Sequence, residues 1–264
     1  MKKSFLFFAT AFLAVSLFFV GCKKSDSNPT TPPDTTPTKK TDQPIPEFGG
    51  TVDGVVAAIQ FSYDVPGMPA PYNKVSMDMG FATFGSEGTD AGAVTVNGKN
   101  IAKITSGSTV YYNSFASTDP LNPPTTLNLN WNGGNHVWSV SGAGSTPAFT
   151  IDVPSPNSFT LSNPTASTVA PKSSNLTVTW SGAYGSSVDS VMIVLVPMSG
   201  SGTTFTATTT NKTGSYTIAS SSLSGFSGDA LLELVKYRYA TKTVSGKTYV
   251  GVAEIVNTVN FKIQ

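Results

Sequence analysis

One cysteine, Cys22, and one histidine, His136, are the whole complement of the two side chains most used in metal and nucleophilic chemistry. A structural zinc site needs several such ligands clustered, so no metal centre or cofactor is expected. Any Ser-His-Asp arrangement or imidazole base would have to use His136. This residue alternates with Trp138 and Val140 on one face of a strand, beside a turn, which reads as an imidazole at the rim of a β-sandwich. Neither Gly142-Ala143-Gly144-Ser145 nor Gly200-Ser201-Gly202 supplies a Gly-x-Ser-x-Gly elbow. Glu87-Gly88-Thr89-Asp90 is the nearest approach to a calcium loop, and two carboxylates in a glycine turn read as a solvated hairpin end. Paired carboxylates about 5 to 10 Å apart could hydrolyse glycosides, but the spacing of Asp and Glu favours no pair. No catalytic residue is expected.

Four tyrosines are candidates for ligand binding, since aromatic faces stack on sugar rings while Asn and Thr supply hydrogen bonds. Tyr111 and Tyr112 are adjacent, so on a strand one of them points outward. Tyr237 and Tyr239 share a face, separated by Arg238. The tryptophans lie on the apolar faces of their strands and read as core.

The elements that must carry these residues begin with a basic start, Lys2 and Lys3, and an apolar run from Phe5 to Val20 broken only by Thr10 and Ser16. Gly21 and Cys22 follow, completing the plan of a secretory signal. The run has 16 residues, short of the roughly 20 needed to span a bilayer. Its ending, Phe19-Val20-Gly21-Cys22, resembles the lipobox of bacterial lipoproteins, with Phe19 where that family usually has Leu. The resemblance implies that residues 1–21 are a signal peptide and that Cys22 becomes an acylated N-terminus, which holds the chain to a membrane of the cell envelope. Lys23 in place of the usual inner-membrane retention aspartate implies the outer membrane. Residues 22–47 are rich in Pro and Thr, with Ile45 the lone apolar residue after Cys22, and read as a disordered tether.

From Phe48 onward, period-2 alternation between turn signals predicts an all-β fold. Charged residues are only 12% of the chain, and no basic field exists to collect nucleic acid. Strands are expected at Val55–Tyr63 and Val75–Phe84, with Pro66–Pro71 as a loop. Val94–Val96 and Ile101–Ile104 flank Asn97-Gly98, a type I′ hairpin signal. Leu127–Trp131, His136–Val140 and Ala148–Val153 complete a first sandwich over 48–155. Leu176-Thr177-Val178-Thr179-Trp180 resembles the second strand of bacterial Ig-like and fibronectin-type-III-like modules, which implies a second sandwich over 156–264 without their cysteine pair. Leu223 with Phe226 reads as a short turn plugging its core, and Ala230–Lys242 with Lys247–Ala253 as a hairpin across Ser245-Gly246.

The expected organisation is two tandem Ig-like β-sandwich domains on a lipid-anchored stalk, serving binding, adhesion or assembly without catalysis. The partners expected are the membrane, through the lipid, and a protein or glycan at the cell surface. A carbohydrate-binding lipoprotein and a glycosidase with paired carboxylates are the rival classes.

Overall fold

The computed structural model describes residues 51–64, 74–115, 126–182, 189–199, 202–210 and 213–264. The leader, Cys22, the tether and the Pro66–Pro71 loop lie outside the described residues. The strands of the first half are β1 (Gly54–Asp64), β2 (Lys74–Phe84), β3 (Val94–Val96), β4 (Lys99–Ile101), β5 (Lys103–Ser106), β6 (Thr109–Asn113), β7 (Asn135–Val140) and β8 (Phe149–Pro154). Those of the second are β9 (Phe159–Asn163), β10 (Val169–Ala170), β11 (Leu176–Gly182), β12 (Ser190–Pro197), β13 (Phe205–Thr210), β14 (Ser215–Ile218), β15 (Gly228–Val244) and β16 (Lys247–Ile263), with the single turn α1 (Ser220–Leu223) ahead of β15. The all-β class expected from the alternation is what the chain adopts.

A nine-stranded sheet organises the molecule, in the order β13-β12-β15-β16-β1-β2-β6-β5, with β10 pairing β16. A three-stranded sheet, β14-β11-β9, and a four-stranded sheet, β4-β3-β7-β8, complete the layers. The seam at the middle of the large sheet is the parallel pairing of β1 with β16, from Gly54↔Tyr249 to Ser62↔Asn257. The expected boundary at residues 155 and 156 therefore does not divide this sheet, because β1 and β2 from one side are hydrogen-bonded through β16 to β15 and β12 from the other. The principal core likewise mixes Phe84, Trp138 and Val153 with Trp180, Ile193 and Phe261.

Alternation sorts the side chains of the large sheet onto two faces. Face one carries Val56, Ala58, Phe84, Ile193, Leu234, Ala253 and Ile255, and the two smaller sheets pack on it. Gly251 lets β8 approach β16 closely, since a Cβ there would collide with Val153. Gly80 does the same on β2, where a Cβ would stand 2.6 Å from the Ile101 Cδ1. Face two carries Val55, Ala57, Ile59, Phe61 and Phe81 with Met192, Val194, Val235, Tyr237, Val250, Val252 and Val256, a separate apolar cluster.

Local expectations met the structure unevenly. The Asn97-Gly98 hairpin forms as expected, with φ of 49° and 74° at its two central residues. Leu223 and Phe226 are buried behind α1. Leu127–Trp131, expected as a strand, joins no ladder. Its alternation is real, with Leu127 and Trp131 buried and Asn128 and Asn130 exposed, but Asn128 at φ 48° takes the left-handed conformation and breaks strand pairing. The hairpin expected as Ala230–Lys242 with Lys247–Ala253 forms and its second strand runs on to Ile263, so β15 and β16 are 17 residues each.

Candidate functional site

The large sheet places Tyr111, Tyr237 and Tyr239 together on face two, because they sit at alternate positions of β6 and β15 whose neighbours in register share that face. Tyr237 is buried, while Tyr111 and Tyr239 are partly exposed toward the margins. The Tyr111 ring lies 6.5 Å from that of Phe81. Tyr112 turns to the other face and is fully buried. Its hydroxyl donates to Asp90 Oδ1 at 3.0 Å or the Gly92 carbonyl at 2.9 Å and accepts from the Ala91 amide at 2.9 Å. The pair thus splits across the sheet as adjacency requires, and Tyr112 serves as a strut for the 85–92 loop. Asp90, the end of the expected solvated hairpin, also accepts from the Gly92 amide and from Lys103 at 3.1 Å, and these bonds hold its carboxyl below the usual range.

Face two contains two charged-type residues that the sequence reading did not single out. Glu233 and Glu254 are 0% and 1% exposed amid valine, isoleucine and methionine. Glu254 stands opposite Tyr237 on β15 and Ile59 on β1, and Glu233 opposite Val194 on β12 and Thr258 on β16. Both carboxylate oxygens of Glu254 are buried without a hydrogen-bond partner among the described residues. Burial, with Glu233 adding repulsion, pushes the Glu254 carboxyl up to about 8, so it is largely protonated at neutral pH. The available signal was parity: both residues fall on the apolar phase of otherwise two-faced hydrophobic strands, where a carboxylate is out of place.

Two further polar clusters are built into face one. Asp189 and Lys236, 1% and 0% exposed at their side chains, make an ion pair at 3.5 Å, and Arg238 Nε also donates to Asp189. Lys236 Nζ lies 5.2 Å from the centre of the Phe159 ring. Burial lowers the Lys236 pKa and Asp189 opposes it. The second cluster surrounds Asp78, which accepts from Trp131 Nε1 at 2.9 Å, the Leu129 amide at 2.6 Å and Gln60 at 3.2 Å.

His136 belongs with this second cluster and is fully buried, not at a rim as expected. Trp131 folds over it edge to face at 4.5 Å, and Asn97 approaches Nδ1 at 3.5 Å. Desolvation lowers its pKa to about 4, against a smaller opposing effect of Asp78. A ring shut behind Trp131 and neutral at physiological pH is a packing element. Among the described residues no group of three or more His, Cys, Asp or Glu could hold a metal ion.

Face two is thus the one broad surface where candidate tyrosines and unusual carboxyls meet. Its valine, isoleucine and phenylalanine side chains are buried, as is the largely protonated Glu254 among them, and Tyr111 and Tyr239 are the candidate tyrosines it leaves partly exposed. No protein-family model matches the chain, and no curated protein matches it.

Proposed function

We propose that this chain is a lipid-anchored protein of the bacterial envelope, placed on the outer membrane, whose all-β body is held on a flexible stalk for binding, adhesion or assembly. The observation that carries the reading is the order of parts: basic start, apolar run, Gly21-Cys22, a proline-rich stretch, then a body whose first strand begins at Gly54. A Cys22 thioether with two or more acyl chains would anchor firmly, whereas one chain holds only marginally. The only histidine lies beneath Trp131, which supports binding in preference to imidazole chemistry.

A second reading, a carbohydrate-binding lipoprotein, is favoured by Tyr111, Tyr237 and Tyr239 sharing one face. A glycosidase has less support. Glu233 and Glu254 lie on the same face, but Glu254 is four residues along β16 from Thr258, the partner of Glu233, and both are buried among apolar side chains.

The test is Cys22→Ser. The wild-type chain should fractionate with membranes and take up labelled palmitate, and the variant should take up none and accumulate as soluble or uncleaved protein. An unmodified Cys22 thiol in the mature wild-type chain, seen by mass spectrometry, would remove the anchor and the placement together. Binding to a glycan array that Tyr111→Ala or Tyr239→Ala abolishes would move the choice to the carbohydrate reading.

A further inference from the structure

Lys236 is the only fully buried lysine among the described residues. Its Nζ faces Asp189 Oδ2 at 3.5 Å, with the two side chains 0% and 1% exposed. A charge-assisted N–H···O bond is normally about 2.7 to 2.9 Å long, so the pair is close without being bonded. Neither Nζ nor Oδ2 has a hydrogen-bond partner among the described residues.

Three elements build this arrangement. Ser190, the first residue of β12, is in register with Tyr237 on β15, so Asp189, one residue earlier, falls on face one beside Lys236 and Arg238. Arg238 Nε donates to the other carboxylate oxygen, Oδ1. From the three-stranded sheet, Phe159 on β9 closes over the pair, with its ring centre 5.2 Å from Nζ. The Asp189 carboxyl thus has one oxygen held by a guanidinium and the other set against an amine, behind an aromatic cover.

Left as charges, such a pair stabilises poorly, because the cost of desolvating two ions can exceed their attraction. Burial also lowers the Lys236 pKa, toward the neutral amine that is the nucleophilic form. Reacting groups held in place by a fold reach effective molarities of about 10⁵ to 10⁸ M. A site closed to water further favours condensation over the separated acid and amine.

We propose that Lys236 and Asp189 condense into an amide crosslink that staples β15 to β12. The Lys236 ammonium passes one proton to Asp189 Oδ2, and the freed amine attacks Cγ while Arg238 holds the negative charge that develops on Oδ1. A second proton then moves from the nitrogen to Oδ2, the Cγ–Oδ2 bond breaks, and Oδ2 leaves as water. What remains is an Nζ–Cγ bond with one proton on the nitrogen. One ammonium and one carboxylate become a neutral amide and a water, so no oxidant, reductant or partner is consumed. A chain with a single cysteine has no disulfide of its own, and this bond gives the sheet a covalent tie. The inference does not rest on the envelope reading.

The experiment uses the full-length chain with Cys22→Ser, so that no acyl group alters its mass. Unfolded in urea after prolonged incubation at neutral pH, this parent should weigh one water less than its sequence. After trypsin, residues 173–212, which contain Asp189, and 213–238, which contain Lys236, should appear joined as one species, because an acylated lysine is not cut. Fragmentation should place the link at Asp189 and Lys236. Lys236→Arg, which keeps the charge and the tryptic site, should restore the full mass and release 213–236 as a separate peptide. Full mass in a parent whose circular dichroism shows β structure, with cleavage after Lys236, overturns the proposal, and so does a lost water located elsewhere in the chain. That decision is read from the parent alone and stands even if the Lys236 variant fails to fold. Arg238→Gln should lower the linked fraction several-fold, and an equal fraction overturns the part given to Arg238.

Discussion

His136 and Glu254 make the stability of this protein depend on pH in opposite directions. The folded-state pKa of His136, about 4, lies below its ordinary 6.5, so the folded chain binds fewer protons between those values and stability is lost as pH falls through that window. The loss should reach about 3 kcal/mol at the acid end, and His136→Gln should flatten it in urea melts. Glu254 is raised from 4.5 to about 8, so its penalty grows as pH rises across that range. Glu254→Gln should therefore gain stability over the parent at about pH 9 and gain little at about pH 4, the reverse of the usual result for a removed carboxylate. Tyr112→Phe leaves the ring in place but strips Asp90, Ala91 and Gly92 of a shared partner, and should cost about 1 to 3 kcal/mol in the same assay.

At the scale of elements, alternation is what made the fold legible, and handedness and depth are what it missed. Leu176, Val178 and Trp180 read as one buried face and are so, at 6%, 0% and 3% exposed. Trp180→Ala should cost about 3 to 5 kcal/mol and Thr179→Ala well under 1 kcal/mol, as thermal melts of the two would show. Leu127–Trp131 has the same alternation, yet one left-handed residue, Asn128, takes it out of any sheet. Periodicity reports which way side chains face and carries no information about whether a neighbouring backbone is in register. His136 was assigned correctly to its face, but its depth depends on Trp131, from a different segment, folding over it. Tyr111 and Tyr239 came to share one face, with three strands between them, through pairings that no local pattern encodes. Gly251 is a further case: its need for hydrogen in place of a Cβ comes from Val153 on another sheet, and Gly251→Val should destabilise by about 1 to 3 kcal/mol or more, measured by urea unfolding.

Across the whole molecule, the two expected sandwiches share a sheet and a core, so calorimetry should show one cooperative transition that Trp180→Ala shifts as a unit. Separate transitions would restore the division near residue 156. The β1–β16 seam also has a temporal meaning. A strand that begins at Gly54 waits for a parallel partner that begins at Lys247, so the sheet cannot close until nearly the entire polypeptide has been made. Contacts so distant in sequence fold slowly, in milliseconds to seconds, and until they form β1 keeps one bare edge open to other chains. A nascent or truncated chain ending before residue 247 accordingly leaves that edge of β1 without its partner. On the proposed envelope reading, that delay would keep the chain slack enough to be threaded through a membrane before it folds.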